Sequence, residues 1–137
     1  TVSPAPTLRE RHFGILQGVT ALEARERHPD VHRHHQARTP DYDYETGESL
    51  IVFAERVIAG LEAIAGRHRG RSVLAFTHGG VLDIVYRVAT GRALDAPRDF
   101  LLPNAALNWL EHSDSGWRLI SWGDCAHLQQ ALDELPG

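Results

Sequence analysis

Apolar residues recur at helical spacing between Glu48 and His68. Leu50, Phe53, Ala54, Val57, Ile58, Leu61, Ile64 and Ala65 fall on one stripe, which predicts an amphipathic helix over that span. Glu48 at its start and Arg67, His68 and Arg69 at its end complement the helix dipole, and Gly66 and Gly70 supply stop signals. The pattern then changes. Ser72-Val73-Leu74-Ala75-Phe76 is an unbroken apolar run and reads as a buried strand at 72–77. Thr77-His78-Gly79-Gly80 follows, then a helix-like segment, Val81 to Ala89, within a helix at roughly 80–90 that Gly91 ends. Strand, glycine turn and helix make half of a βαβ unit.

The remaining segments are less regular. Residues 1–8 read as extended, because Pro4 and Pro6 oppose a helix. Thr20 to about His28 reads as a short helix closed by Pro29, with Glu23 and Arg27 as a favourable i,i+4 pair. From Asp30 to Gly47 the chain is polar and reads as an irregular, flexible surface excursion. Beyond Pro97, Ala105 to Glu111 and Trp117 to Trp122 are strand-like, and the turn cluster 112–116 joins them as a hairpin. Leu128 to Leu135 fits one or two helical turns.

Composition narrows the function classes. The 137 residues suit one domain or part of a larger one, and 42% hydrophobic content is ordinary for a globular chain. A formal net charge of -4 argues against a nucleic-acid surface, and all 14 cationic Lys and Arg side chains are arginine. The single Cys125 excludes an internal disulfide framework and fits a reducing compartment. No apolar run reaches the length of a membrane span and no signal peptide is visible, so cytoplasmic is the expected location. The chain starts at Thr1 and contains no Met, which fits either initiator removal or a piece of something longer.

Three constellations carry candidate chemistry. Glu10 lies in Leu8-Arg9-Glu10-Arg11-His12-Phe13-Gly14, where a carboxylate between arginines can protonate a leaving group or simply be a solvated turn. His78 sits at a strand end before two glycines, where helix N-terminal amides hold anions; a purely structural histidine is the other reading. His28, His32, His34 and His35 cluster in sequence, yet Pro29 disrupts the helix that would align them, and a solvated polar loop is preferred to a metal site.

Taken together, these motifs resemble the histidine phosphatase (phosphoglycerate mutase-like) family. Leu8 to Gly18 is similar to its proton-donor segment. Gly47-Glu48-Ser49-Leu50 with Arg56-Val57 resembles its next helix, and Val73 to Gly80 its second-histidine motif. Asn104-Ala105-Ala106-Leu107 and Trp122 to Leu128 resemble its closing hairpin and tail. The resemblance implies an α/β fold: a three-layer sandwich whose mostly parallel mixed sheet is flanked by helices. It implies Glu10 as general acid, His78 as donor to the transferring phosphoryl group with the Gly79 amide nearby, and Phe13 lining the substrate pocket. No cofactor and no metal are implied. The partner expected is a small phosphorylated substrate, with neither nucleic acid nor membrane.

One departure stands out. The family carries an Arg-His-Gly motif on its first strand, and its histidine becomes phosphorylated; no Arg-His-Gly occurs here. A second phosphate-pocket arginine is also lacking. Residues 1–137 therefore read as a single partial domain without its first strand and helices, poorly stable alone. Completion by an upstream part or by another copy is expected. Sixty-eight residues separate Glu10 from His78, a spacing that resembles the phosphatase branch rather than the mutases, with 30–47 as part of a pocket lid. The resulting expectation is a phosphomonoester hydrolase acting through a phosphohistidine whose nucleophile lies outside this chain. A non-catalytic phospholigand-binding or interaction module and a mutase-type phosphoryl transfer are the alternatives.

Overall fold

The structure is a computed structural model and describes residues 2–129. It divides into two compact units, Thr1–Pro97 and Arg98–Gly137. The helical expectation for 128–135 falls largely outside the described residues.

In the first unit, Thr20 caps helix α1 (Ala21–Arg27) with a full capping box: its hydroxyl takes the Glu23 N–H, and the Glu23 carboxylate takes the Thr20 N–H. Pro29 ends that helix and also opens the next, α2 (Pro29–Gln36). Here the expectation of an irregular 30–47 segment fails over its first part. Proline at the first helical position has its φ pre-set and needs no N–H partner, so it starts a helix as readily as it stops one. Residues 37–47 then run through turns.

Helix α3 (Leu50–Arg67) begins where Ser49 accepts the Val52 N–H, so Glu48 lies just outside the helix rather than in its first turn. Gly66 does not stop it; His68 is the capping residue. Helix α4 (Gly79–Thr90) ends at Gly91, whose φ of 68° lets its N–H turn back to the Arg87 carbonyl. Helices α3 and α4 pack on one another. The core of the unit comprises Leu8, Leu50, Phe53, Ala54 and Val57 with Val81, Ile84 and Val85, all buried. Burial of each larger aliphatic side chain stabilises by about 1.5–3 kcal/mol. Gly60 allows close approach here, since a Cβ would lie 2.4 Å from Thr7 Oγ1.

The 72–77 segment differs from its expected burial. It forms no strand or helix, and Leu74 and Phe76 are 72% and 89% exposed. No strand among the described residues pairs with it. A groove of about 1050 Å³ opens between this segment, residues 2–9 and the last turn of α3.

The second unit holds the expected hairpin. Strands β1 (Leu107–Ser113) and β2 (Gly116–Asp124) pair antiparallel, with Ser113 opposite Gly116. Gly116, at φ 99°, closes the turn. Arg118 pairs across the strands with Glu111, and Trp122 Nε1 donates to the Leu101 carbonyl at 2.8 Å. No helix among the described residues is long and apolar enough to cross a membrane.

Candidate functional site

Glu10 and the His78 turn are laced together from positions far apart in sequence. The Thr77 hydroxyl donates to the Leu8 carbonyl at 2.8 Å. Three residues on, the Gly80 N–H donates to Glu10 Oε2 at 3.0 Å, while the Arg11 N–H donates to Glu10 Oε1 at 2.8 Å. These contacts bracket His78, the residue that precedes α4. Its side chain makes no capping hydrogen bond, and it is exposed together with Gly79. A half-buried carboxyl and an exposed imidazole thus flank the turn that opens α4, whose Gly80 N–H is taken by the carboxyl. Such a corner can supply a proton and donate hydrogen bonds to an anion.

A buttress fixes the loop that carries Glu10. The Glu48 carboxylate accepts from Arg56 Nε at 2.8 Å and Nη2 at 2.9 Å, from Arg9 at 3.1 and 3.2 Å, and from the His12 N–H at 3.0 Å. Arg56 also donates to the carbonyls of Thr7, Arg9 and Glu10. Burial opposes ionisation of Glu48, but the hydrogen bonds from Arg56, His12 and Arg9 prevail and hold its pKa down at about 2.

Phe13 is half-buried in an aromatic cluster. Its ring meets the edges of His35 and Tyr44, each with centroids 5.5 Å apart. The buried Arg11 guanidinium lies 5.3 Å from the Phe13 centroid and 4.9 Å from that of Tyr44, while its Nε donates to the Glu48 carbonyl at 3.0 Å. Burial lowers the Arg11 pKa, and the positive charge of Arg38 acts in the same direction. Burial likewise lowers the His35 imidazole, aided by Arg11, His32 and Arg38. Tyr44 and Glu45 hold positive φ angles of 60° and 68° in the turn that packs on Gly14.

The histidine-rich stretch does not converge. His34 stacks on Tyr42 and shares a 3.1 Å hydrogen bond with Thr39, whereas His35 meets the Tyr44 hydroxyl at 3.0 Å. Among the described residues no group of three or more His, Cys, Asp or Glu side chains gathers as a metal site.

Several polar residues of the site region escape sequence reasoning. Asp83 is buried and joins Arg87 of its own helix to Arg38, at 3.0 and 2.7 Å. Arg38 and Arg87 also donate to the carbonyls of Leu94 and Ala93, so the ion cluster ties the turn after α2 to both ends of the 83–94 stretch. The i,i+4 spacing of Asp83 and Arg87 was the available signal; Arg38 offered none. Arg11 reads as one charge among several, although it is the buried one.

Comparison with known proteins follows the same lines. The histidine phosphatase superfamily (branch 1) matches residues 1–125. The metal-independent phosphoserine phosphatase of Arabidopsis thaliana is 36% identical over 93% of this chain and 52% of its own length. Phosphoglycerate mutase-like protein 4 of the same plant is 31% identical over 90% of this chain and 53% of its own. The chain thus spans about half the length of these relatives. Among solved structures, Bacillus stearothermophilus YhfR superposes with a TM-score of 0.79 at 27% identity, covering 89% of this chain and 61% of YhfR. The four helices and the hairpin form part of that α/β sandwich. Motif order, site geometry and these similarities agree, and the chain belongs to the histidine phosphatase superfamily.

Proposed function

We infer that this chain carries the proton-donor half of a phosphomonoester hydrolase. The observation that supports this reading best is the Glu10 carboxyl held on the Gly80 N–H, two residues beyond His78. In the first half-reaction a histidine outside residues 1–137 attacks phosphorus. The P–O ester bond breaks, and Glu10 gives its proton to the departing alkoxide. His78 and the Gly79 N–H donate to the non-bridging oxygens as charge builds on them. In the second half-reaction water attacks the phosphohistidine, Glu10 takes up a water proton, and inorganic phosphate leaves. Phe13 lines the wall of the substrate pocket. The strand bearing the nucleophile lies along the 72–78 segment, whose exposed Leu74 and Phe76 and open groove suit an added strand.

The substrate class is a small phosphate monoester. Phosphoserine is the first choice because the phosphoserine phosphatase relative is 36% identical. A mutase reading is favoured by the relatives named as phosphoglycerate mutase or mutase-like, at 30% and 31% identity. The protein with its upstream coding sequence is assayed with L-phosphoserine and with 3-phosphoglycerate. Release of inorganic phosphate supports the hydrolase, and isomerisation without release supports the mutase. Ligand binding with neither reaction would overturn both in favour of a binding module. Glu10→Gln should slow hydrolysis of alkyl phosphates by about 10²–10⁴-fold, the usual worth of a positioned acid.

A further inference from the structure

Gly80 stands where any side chain collides with the acid. A Cβ at this position would lie 2.1 Å from Glu10 Oε1, 3.0 Å from Cδ and 3.2 Å from Oε2. At Gly79, one residue earlier, a Cβ would meet nothing within 4 Å. Gly80 is inside α4, and its φ lies outside the left-handed region, so the backbone itself makes no demand for glycine. Alanine is the better helix former there. What excludes a side chain is the carboxyl group of Glu10.

Glu10 cannot retreat by moving its backbone. Its carbonyl is held by Arg56 Nη2, the neighbouring Arg9 carbonyl by Arg56 Nη1, and Leu8 by the Thr77 hydroxyl. A methyl group at residue 80 would therefore rotate the carboxyl away. In the observed arrangement each carboxyl oxygen accepts one N–H, from Arg11 or from Gly80. Each oxygen keeps one further lone-pair direction, where the transferable proton resides.

We propose that Gly80 is a positioning residue: its missing side chain forms the seat that sets the carboxyl plane of Glu10, and its N–H locks that plane. The proposal rests on Glu10 being the acid. Orientation of the donor then matters in proportion to how much the leaving group needs a proton.

The test uses the active protein with an alkyl phosphate (phosphoserine) and with p-nitrophenyl phosphate, whose leaving group departs without help. Gly80→Ala should lower kcat on the alkyl ester by about 10²-fold, the usual cost of an ångström-scale misplacement, and affect the nitrophenyl ester far less. Glu10→Asp withdraws the carboxyl by one methylene, so Gly80→Ala should cost much less on that background. Equal losses on both esters, or the same loss on both backgrounds, would overturn the proposal. A second readout needs no turnover. The residue-80 amide proton should shift as Glu10 titrates in the wild type, and lose that response in Glu10→Gln and in Gly80→Ala. No response in the wild type also sinks it. If Glu10→Gln leaves alkyl ester hydrolysis unchanged, the acid assignment fails, while the amide response still decides whether the seat exists.

Discussion

Arg56 and Glu48 meet at two points, Nε to Oε1 at 2.8 Å and Nη2 to Oε2 at 2.9 Å. The same guanidinium reaches three carbonyls of the 7–10 segment. The pair is therefore a bracket between the start of α3 and the loop that presents Glu10, with side-chain exposures of only 17% and 12%.

Acid should weaken this bracket in a defined window. The Glu48 pKa falls from 4.5 to about 2 on folding. A depressed carboxylate contributes stability above its unfolded pKa and loses it as pH drops through the folded one. The contribution, about 3 kcal/mol, is present above pH 4.5 and gone below pH 2. Urea unfolding at a series of pH values should show this loss in the wild type. Glu48→Gln should be less stable at pH 7 by a similar amount and lose less stability across the window, Glu23 being another carboxyl that its hydrogen bonds to Thr20 hold low.

Asp83→Asn should be among the most damaging polar substitutions. Asp83 is 3% exposed and Arg87 1%, so the substitution removes the negative charge that faces a buried guanidinium. A loss of about 3–5 kcal/mol is expected, since breaking a buried pair costs more than the pair contributes. Denaturant titration at neutral pH measures it. A change within the range of ordinary surface substitutions would contradict the buried cluster.

Gly14→Ala and Gly18→Ala should separate strain from collision. Both glycines hold positive φ, 50° and 74°. At Gly18 a Cβ meets nothing, and the left-handed conformation alone costs about 1–2 kcal/mol. At Gly14 it would come within 2.2 Å of the Tyr44 carbonyl oxygen and 2.8 Å of the Gly47 nitrogen. Thermal unfolding should show a far lower Tm for Gly14→Ala, in line with a loss above about 4 kcal/mol.

The apolar 72–78 segment should be visible to a hydrophobic dye. Leu74→Ser and Phe76→Ser remove exposed side chains, so each should reduce anilinonaphthalene sulfonate fluorescence of the 137-residue chain. Unfolding free energy should change by no more than about 0.5 kcal/mol. A loss of several kcal/mol would mean these side chains are packed.

Helix α3 was legible because the first half of its stripe is in the core: Leu50, Phe53, Ala54 and Val57 are all buried, although Ile58 of the same stripe is exposed. Helix α4 and the hairpin were legible for similar reasons, through Gly91 and through the turn before Gly116. Helix α2 was not, because it buries one residue, Val31, and a single apolar contact leaves no period to detect. The 72–77 run misleads in the opposite way. Apolar composition records what a segment is suited to bury, and the burial itself depends on a neighbour. Glu10 and His78 were marked by motif. Gly80 as the seat, Arg11 as a buried cation and Arg38 as a partner of Asp83 depend on tertiary proximity, which residue spacing does not encode.

The hydrogen bond between Gly80 and Glu10 joins residues 70 apart, and that between Thr77 and Leu8 residues 69 apart. Closing so long a loop costs entropy that no local contact offsets in advance. Helix α3, by contrast, needs only near neighbours to start. The expected order is that α3 and α4 form and dock first, and that the acid meets its seat afterwards. Substitutions confined to that meeting point should speed unfolding while leaving the refolding rate almost untouched. The corner where chemistry is placed is thus expected to be a late-assembled part of the molecule.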